Sequence, residues 1–208
     1  MKEIVRGDDG IARCWWCMGD PLYVDYHDAE WGRPQYDDVR LFEKLSLEGF
    51  QSGLSWLIIL RKREHFRRAF KSFDLEAVAR FNARSVARLM GDAGIVRNRA
   101  KIEATINNAR RCIELIEDVG SLARHVWSFE PDARTRPRKI DWETLLTMPK
   151  TPESTALSKD LRRRGWAFVG PTTVYAFMQA MGVVNDHVSG CAIRPAADDA
   201  RRAFRPAT

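Results

Sequence analysis

The sequence lacks long apolar runs and contains few cysteines. No uninterrupted run of apolar residues exceeds five, as at residues 56–60, whereas a membrane span needs roughly 18 or more. Residues 1–13 are mostly polar and charged, so they hold no apolar core of a secretory signal. Four cysteines in 208 residues do not make a disulfide framework. We therefore expect a cytoplasmic protein whose cysteines bind a metal or are buried thiols.

Strand signals are also scarce, and most apolar residues recur at helical spacing. Ile102, Ile106, Ala109, Ile113 and Ile116 alternate between spacings of four and three, which predicts one buried stripe on a helix of about five turns. The sequence shows no internal repeat. Its length suffices for a hydrophobic core in one or two closely packed domains. We predict an all-α fold.

Local signals place several other elements. Asp37 and Asp38 open a helix that the glycines of residues 49–53 interrupt, and residues 54–70 resume it. Asn82 caps a short helix that ends near Asp92. Residues 130–139, with two prolines and no apolar period, form a surface loop. The residues before Arg13 and the basic tail after Pro195 carry no motif, and we expect them to be disordered.

Residues 156–182 predict two helices joined by a tight turn. Thr151, Pro152 and Glu153 form an N-cap, a first-turn proline and a first-turn acid. Glycine stands at each end of the turn. The first turn of the second helix has backbone N–H groups without helical partners, and such groups can bind an anion such as a DNA phosphate. The residues on either side that fit such a contact are Arg164, Gly165, Gly170, Thr172 and Thr173. An ordinary helical hairpin with polar caps is the competing interpretation.

Charge is unevenly distributed along the chain. Residues 1–60 carry a net charge of −5 and residues 61–208 a net charge of +11. A basic body with an acidic, aromatic segment suits a polyanionic partner and a small cationic group. A solvated basic surface without a partner explains the charge equally well.

Two cysteines and two histidines near the ends of the chain form a candidate metal site. His187 and Cys191 are four residues apart, on one face of a helical turn. Cys14 and His27 supply the remaining corners of a Cys₂His₂ tetrahedron, which leaves no open position for water and therefore indicates a structural site. Cys17 is a rival to His27, because Cys14-x-x-Cys17 also has ligand spacing.

Aromatic residues are concentrated near the N-terminus. Residues 15–36 contain six of the 21 Phe, Trp and Tyr residues. Such a cluster covers a core or lines a pocket. Glu48 favours the pocket, because it shares an apolar helix face with Leu41 and Leu45, and a carboxylate taken out of water needs a partner.

Several motifs, taken in their order along the chain, resemble those of one known family. The blocks are Arg13-Cys14, Asp20-Pro21-Leu22-Tyr23, Tyr26-His27-Asp28, Glu30-Trp31-Gly32, the run from Leu47 to Trp56 (LEGFQSGLSW), Gly94-Ile95-Val96-Arg97-Asn98, Phe168-Val169-Gly170-Pro171-Thr172-Thr173, and the run from Val184 to Cys191 (VNDHVSGC). Together they span about residues 13–195 and resemble the DNA-3-methyladenine glycosylase I family.

The resemblance implies a helix–hairpin–helix DNA glycosylase fold in which one structural Zn²⁺ joins the N- and C-terminal segments. Residues 1–208 then form a single unit, with a zinc-clasped pocket segment at 13–60 plus 184–195 and a helical body at 61–183 that contains the hairpin at 156–182. The implied zinc ligands are Cys14, His27, His187 and Cys191. The implied base pocket consists of Trp16, Tyr23, Tyr26, Glu48 and Trp56.

The implied activity is the removal of 3-methyladenine from double-stranded DNA by a monomeric repair enzyme. Methylation at N3 makes the base cationic, so aromatic rings and the catalytic Glu48 attract it. Leu54, after Gly53, is a candidate wedge for the space that the flipped base leaves, although a buried helix start is equally consistent.

The sequence departs from the wider superfamily at one position. Asn185 stands where many helix–hairpin–helix glycosylases have an aspartate, and Asp186 is expected to orient His187 or cap a helix. No lysine nucleophile is recognisable in the pocket, which predicts a monofunctional enzyme without lyase activity. The alternative is a zinc-stabilised DNA-binding module of the same fold without catalysis.

Overall fold

The structure is a computed structural model and describes residues 3–204. The helices are α1 (Pro21–Ala29), α2 (Asp38–Gln51), α3 (Trp56–Ala69), α4 (Leu75–Ala79), α5 (Ala83–Gly91), α6 (Arg99–Val119), α7 (Leu122–Trp127), α8 (Trp142–Thr147), α9 (Pro152–Arg163), α10 (Pro171–Ala180) and α11 (Arg194–Ala203). Short 3₁₀ turns occur at Trp15–Cys17, Lys71–Phe73 and Ala133–Thr135. In the described range, none of the helices combines the length and apolar character needed to cross a bilayer.

The chain is mostly helical, but it is not purely so. Strand β1 (Ile4–Arg6) pairs antiparallel with β2 (Ala12–Cys14), with Ile4 opposite Cys14. Three residues per strand are too few for a recognisable alternation, which explains why the sequence predicted none. The hairpin also corrects the expected disorder before Arg13.

The expected disorder after Pro195 is wrong as well. Helix α11 occupies Arg194–Ala203, and Ala197 within it is fully buried. Residues 1–2 and 205–208 of the two expected disordered ends lie outside the described residues.

Helix α2 forms the centre of the molecule. All ten residues from Leu41 to Phe50 are buried, and the helix contacts α3, α6, α7 and α10. The predicted interruption at residues 49–53 is wrong in its position, because α2 continues through Gly49 to Gln51. A Cβ at Gly49 would lie 3.4 Å from the Cβ of Phe168, so the glycine permits close packing of the α9–α10 turn against α2.

Several other predictions are confirmed. The side chain of Asn82 accepts hydrogen bonds from two backbone N–H groups at the start of α5. Thr151 and Ser154 form a capping box at the start of α9. The stripe of α6 faces the core, with Ile102, Ile106 and Ala109 buried. Residues 130–139 contain only one short 3₁₀ turn.

Residues 181–193 bring the C-terminal part of the chain against the N-terminal part. Gly182 has a φ of +70° and contacts the backbone of residues 33–34. The N–H groups of Gly32 and Gln35 donate to the carbonyls of Ala180 and Met181. His187 and Cys191 lie in this irregular segment and not on a helix, so the expected helical turn between them is wrong, although their spacing still brings them together.

We predict that Gly182→Ala destabilises the protein. Left-handed backbone costs a non-glycine residue about 1–2 kcal/mol, and the new Cβ would lie 2.4 Å from the nitrogen of Pro34. The free energy of unfolding, measured by urea denaturation, should fall by more than about 2 kcal/mol.

The matched control is Gly91→Ala, because nothing lies within 4 Å of a Cβ at the end of α5. Gly91→Ala should raise the free energy of unfolding slightly, by no more than about 1 kcal/mol. Equal effects of the two substitutions would contradict the close contact at Gly182.

Candidate active site and metal centre

A cavity of about 400 Å³ lies between the N-terminal segment, the two ends of the α2–α3 connection and helices α8 and α10. Its lining includes all five residues expected to form a base pocket, namely Trp16, Tyr23, Tyr26, Glu48 and Trp56. Helix α1 supplies the two tyrosines, α2 supplies Glu48 and α3 begins at Trp56.

The aromatic rings of the cavity contact one another edge to face or at a tilt. The ring centroids of Trp16 and Tyr23 are 5.1 Å apart, and those of Tyr26 and Trp56 are 5.5 Å apart. Trp16 also meets Trp31 at 5.0 Å, close to perpendicular. Pairs of this kind hold each ring in one orientation, so the cavity has preformed walls.

Helix α8 closes one side of the cavity and was not predicted. Trp142, Leu145 and Met148 line the cavity from α8 and its end, and Trp142 packs perpendicular to Trp15 at 4.8 Å. The signal was present in the sequence, because Asp141 caps the helix and accepts from the N–H of Thr144.

Glu48 is buried beside a lysine. One carboxylate oxygen of Glu48 lies 2.8 Å from Nζ of Lys44, one helical turn earlier. The same ammonium donates to the hydroxyl of Tyr26 at 2.7 Å and lies 3.2 Å from a ring centroid of Trp56. Lys44 contacts three residues that line the cavity but does not itself line it, so the absence of a lysine nucleophile from the pocket stays a prediction. The i,i+4 spacing of Lys44 and Glu48 could have revealed this ion pair.

Burial shifts the protonation of the groups around Glu48. Desolvation lowers the pKa of Lys44 to about 8, against the opposing effect of Glu48. Burial raises the pKa of Tyr23 to about 12, and burial followed by the charge of Glu48 raises the pKa of Tyr26. Both phenols are consequently neutral at physiological pH, while Lys44 titrates close to it.

A second carboxylate, Asp186, lines the other end of the cavity. It accepts hydrogen bonds from the hydroxyl of Tyr175 at 2.5 Å and from the amide of Gln179 at 2.8 Å, and it pairs with Arg136. It makes no hydrogen bond to His187 within the described part of the chain, so its expected role in orienting that histidine is not what the structure shows. The side-chain oxygen of Asn185 accepts from the backbone N–H of His187, whereas the imidazole of His187 contacts the carbonyl of Trp31.

Cys14, His27, His187 and Cys191 form one buried cluster. Their ligand atoms all lie within 4.8 Å of one another. Nε2 of His27 is 3.1 Å from Nδ1 of His187, and Sγ of Cys191 is 3.6 Å from each of those nitrogens. A tetrahedral Cys₂His₂ zinc site requires separations of about 3.3–3.8 Å. The distances from Sγ of Cys191 to both nitrogens and from Sγ of Cys14 to Nδ1 of His187 (3.8 Å) fall in this range, so the four residues could hold a metal ion.

The other nitrogen of each histidine has an acceptor. Nδ1 of His27 lies 2.7 Å from a carboxylate oxygen of Asp28, and Nε2 of His187 lies 3.1 Å from the carbonyl of Trp31. These partners leave a lone pair on each nitrogen that faces the cluster. Two lone pairs at 3.1 Å repel each other unless a cation or a proton lies between them.

Cys17, the rival to His27, lies outside this cluster. Its thiol contacts the carbonyl oxygen of Cys14 at 3.1 Å. Cys112 is buried in the main core.

The residues expected to contact DNA have different environments. Leu54 is 37% exposed and follows Gly53, whose φ is +84°. Helix α10 starts after Gly170 without a side-chain cap, and Thr172 in its first turn also lines the cavity. Arg164 is different, because its guanidinium pairs with Asp118 and Asp160.

The α9–α10 turn itself is held by side chains of α6. Gly165 has a φ of +84°, and its carbonyl accepts from the side chain of Asn107. The amide of Asn108 both donates to the carbonyl of Ala167 and accepts from its N–H. The turn is therefore fixed in shape.

Comparison with known proteins gives a consistent result. The family model for methyladenine glycosylase matches residues 16–194. The chain is 47% identical to DNA-3-methyladenine glycosylase 1 of Escherichia coli (strain K12) over 186 residues, which are 89% of this chain and 98% of that protein.

Solved structures are similar over the same range. A crystal structure of 3-methyladenine DNA glycosylase I is 44% identical with a TM-score of 0.80, covering 86% of this chain and 98% of that one. The 3-methyladenine DNA glycosylase I from Staphylococcus aureus, whose structure describes 3-methyladenine recognition, is 37% identical with a TM-score of 0.80, covering 88% of this chain and 96% of that one.

Proposed function

The chain belongs to the methyladenine glycosylase family, and from that membership we propose how its cavity and its helical hairpin carry out base excision. Its activity is that of a DNA-3-methyladenine glycosylase, a repair enzyme that hydrolyses the N-glycosyl bond of the damaged nucleotide. The observation that carries the proposal is a cavity in which one buried carboxylate lies among aromatic rings.

The cavity binds the base through charge. A nucleotide methylated at N3 is cationic, and each aromatic face attracts it by roughly 0.5–2 kcal/mol. Trp16, Tyr23, Tyr26 and Trp56 provide such faces or edges. Glu48 accepts a hydrogen bond from the exocyclic amine and complements the charge. Adenine is neutral and lacks that attraction, so selectivity follows from charge.

The reaction is hydrolysis without a lyase step. Breaking the N-glycosyl bond leaves its electron pair on the base, which cancels the positive charge and makes the base a good leaving group. Glu48 holds the base in position, and water captures the sugar carbon. Lys44 does not act as a nucleophile, because it lines a second cavity behind Tyr26 and Trp56 and not the cavity that takes the base.

The DNA is a duplex, and the protein acts on it as a monomer. Helices α9 and α10 form a helix–hairpin–helix element whose uncapped second helix receives a phosphate. Gly165, Gly170, Thr172 and Thr173 shape or border that contact, whereas Arg164 supports it through its ion pairs. The base leaves the helix at a cost of a few kcal/mol, and Leu54 fills the space it leaves.

The Cys₂His₂ cluster holds one structural Zn²⁺. Cys14 comes from β2, His27 from α1, and His187 and Cys191 from the segment between α10 and α11. The metal would join the pocket segment at residues 13–60 and 184–195 to the body at 61–183 within one unit. With all four positions filled by protein, the ion supplies rigidity and no reactive water.

We expect Glu48→Gln to retain the fold and to lower excision of 3-methyladenine by at least about 100-fold, since the amide cannot complement the cation. The measurement is the rate of free 3-methyladenine released from methylated duplex DNA. Glu43→Gln is the matched control, because Glu43 is buried on the same helix but pairs with Arg67 away from the cavity. Full activity of Glu48→Gln would remove Glu48 from the mechanism.

Cys14→Ser should abolish the metal site, and Cys17→Ser should leave it intact. Metal analysis of the purified protein should find about one zinc per chain in wild type and in Cys17→Ser and much less in Cys14→Ser, with a lower Tm in the latter. An unchanged zinc content in Cys14→Ser would contradict the assignment.

Leu54→Ala should impair excision from duplex more than from single-stranded DNA. Loss of the wedge leaves the cost of unstacking uncompensated, so the duplex to single-strand rate ratio should fall at least about fivefold. Ile11→Ala is the control, because Ile11 is exposed to the same 37% as Leu54 and lies in the β1–β2 turn. An unchanged ratio in Leu54→Ala rules out the wedge.

A further inference from the structure

Lys44 has an unusual position for a cation. It is only 6% exposed and lies directly behind the wall of a cavity that takes a positively charged base. It contacts Glu48, Tyr26 and Trp56, all three of which line that cavity. Lys44 itself lines a second, smaller cavity of about 130 Å³ on the other side of Tyr26 and Trp56.

Glu48 is the only carboxylate within ion-pair distance of Lys44 in the described residues. The charged and titratable groups that face Lys44 or line the second cavity with it are Glu43, Glu48 and Arg40 from α2, Tyr26, Glu30 and Arg33 from α1 and its end, and Arg63 and Arg67 from α3. Glu30 pairs with Arg63 at 2.6 Å and Glu43 pairs with Arg67 at 2.9 Å. Those two carboxylates therefore already have arginine partners and do not pair with Lys44.

A cationic base at Glu48 would consequently place two positive charges on one buried carboxylate. Trp56 would also have a cation at each face, since Lys44 already occupies one of them. Like charges that share a buried site disfavour the charged form of whichever group can release a proton. The methylated nucleotide can become neutral only by losing a proton from its exocyclic amine, which would turn the amine into an imine. An ammonium group loses a proton without any such change in bonding.

We propose, on the basis of the function proposed above, that Lys44 is a positioning residue that releases its proton when the cationic base binds and regains one after the glycosyl bond breaks. In the resting protein, protonated Lys44 holds the carboxylate of Glu48 and the hydroxyl of Tyr26 in place. In the complex, the cationic base replaces the ammonium as the charge partner of Glu48.

The chemistry balances over the cycle. The proton of Lys44 leaves to solvent when the base binds. When the glycosyl bond breaks, its electron pair neutralises the base, and water adds to the sugar carbon and releases its own proton. Glu48 then faces a neutral product, so Lys44 takes a proton from solvent and recovers its ion pair. The competition between Lys44 and the neutral product for Glu48 favours product release.

Two features of the structure support this exchange. Burial has already lowered the pKa of Lys44 to about 8, so a further positive charge nearby brings deprotonation into the neutral range. The second cavity gives the ammonium a side that does not face the base. A neutral adenine cannot displace the proton and meets a carboxylate that is already paired, so Lys44 sharpens the discrimination against undamaged DNA.

The test uses two ligands that lack a glycosyl bond. 3,9-Dimethyladeninium is a cation at neutral pH with a methyl group in place of the sugar, and 9-methyladenine is its neutral counterpart. Titration calorimetry of the wild-type protein at pH 7, in two buffers of different ionisation enthalpy, counts the protons exchanged. We expect release of nearly one proton per cation bound and none for 9-methyladenine. As the pH increases toward 8, the affinity for the cation should increase by up to about tenfold per pH unit, because less work is needed to remove the proton from Lys44.

Lys44→Arg keeps a cation that cannot be deprotonated. Its affinity for 3,9-dimethyladeninium should be lower than that of wild type at pH 8 and independent of pH, with no proton released. On methylated DNA, the same variant should lose the pH dependence of KM. If Lys44→Arg does not fold, the proton count of the wild-type protein still decides the question.

The outcomes separate the two proposals. Tighter binding of the cation than of 9-methyladenine without proton release, and with a flat pH profile, would overturn the role of Lys44 and leave the proposed function intact. Equal binding of the two ligands at every pH would instead overturn the charge-selective pocket on which the function depends.

Discussion

A carboxylate removed from water must have a positive partner, and this requirement organises the active site. Glu48 is 5% exposed and lies on the central helix, where an unpaired charge would be strongly destabilising. Lys44 satisfies it in the resting protein, and a methylated base can satisfy it in the complex. The rings of Tyr26 and Trp56 contact the ammonium of Lys44 and also line the cavity. In the proposed mechanism, damage recognition depends on an ion pair in which the base replaces Lys44 as the partner of Glu48.

The rest of the fold positions that carboxylate and those rings. Helix α2 is held on several sides by α3, α6, α7 and α10, so Glu48 has little freedom. The tyrosines lie on α1, whose His27 belongs to the same metal cluster as Cys14, His187 and Cys191. A metal ion at that cluster would fix α1 against the segment after α10. The α9–α10 turn also packs on α2 at Gly49, which links the proposed phosphate contact to the base pocket.

Much of this arrangement could be predicted from local sequence signals. The caps at Asn82 and Thr151 and the stripe of α6 depend only on neighbours along the chain, and the sequence predicted them correctly. The Cys/His cluster and a pocket at Glu48 were first indicated by spacing and composition, and the resemblance to one family then implied the full set of residues. Their convergence in space follows from the fold and not from their spacing.

The sequence could not reveal features that depend on tertiary contacts. Glycine usually weakens a helix, but Gly49 stays helical because Phe168 packs where its side chain would be. The strands β1 and β2 are too short to show a pattern. Lys44 was not identified from the sequence, because only the burial of α2 turns its i,i+4 pairing with Glu48 into a buried ion pair. The partners of Asn185 and Asp186 could not be predicted for the same reason, since they depend on the irregular backbone after Gly182.

The central claim is that the positive charge of the base, and not its shape alone, selects it. The most direct measurement compares single-turnover excision from two duplexes of identical sequence, one with 3-methyladenine and one with hypoxanthine, a neutral purine of similar size. The account predicts rapid release of 3-methyladenine and negligible release of hypoxanthine under the same conditions. Comparable rates for the two bases would contradict it.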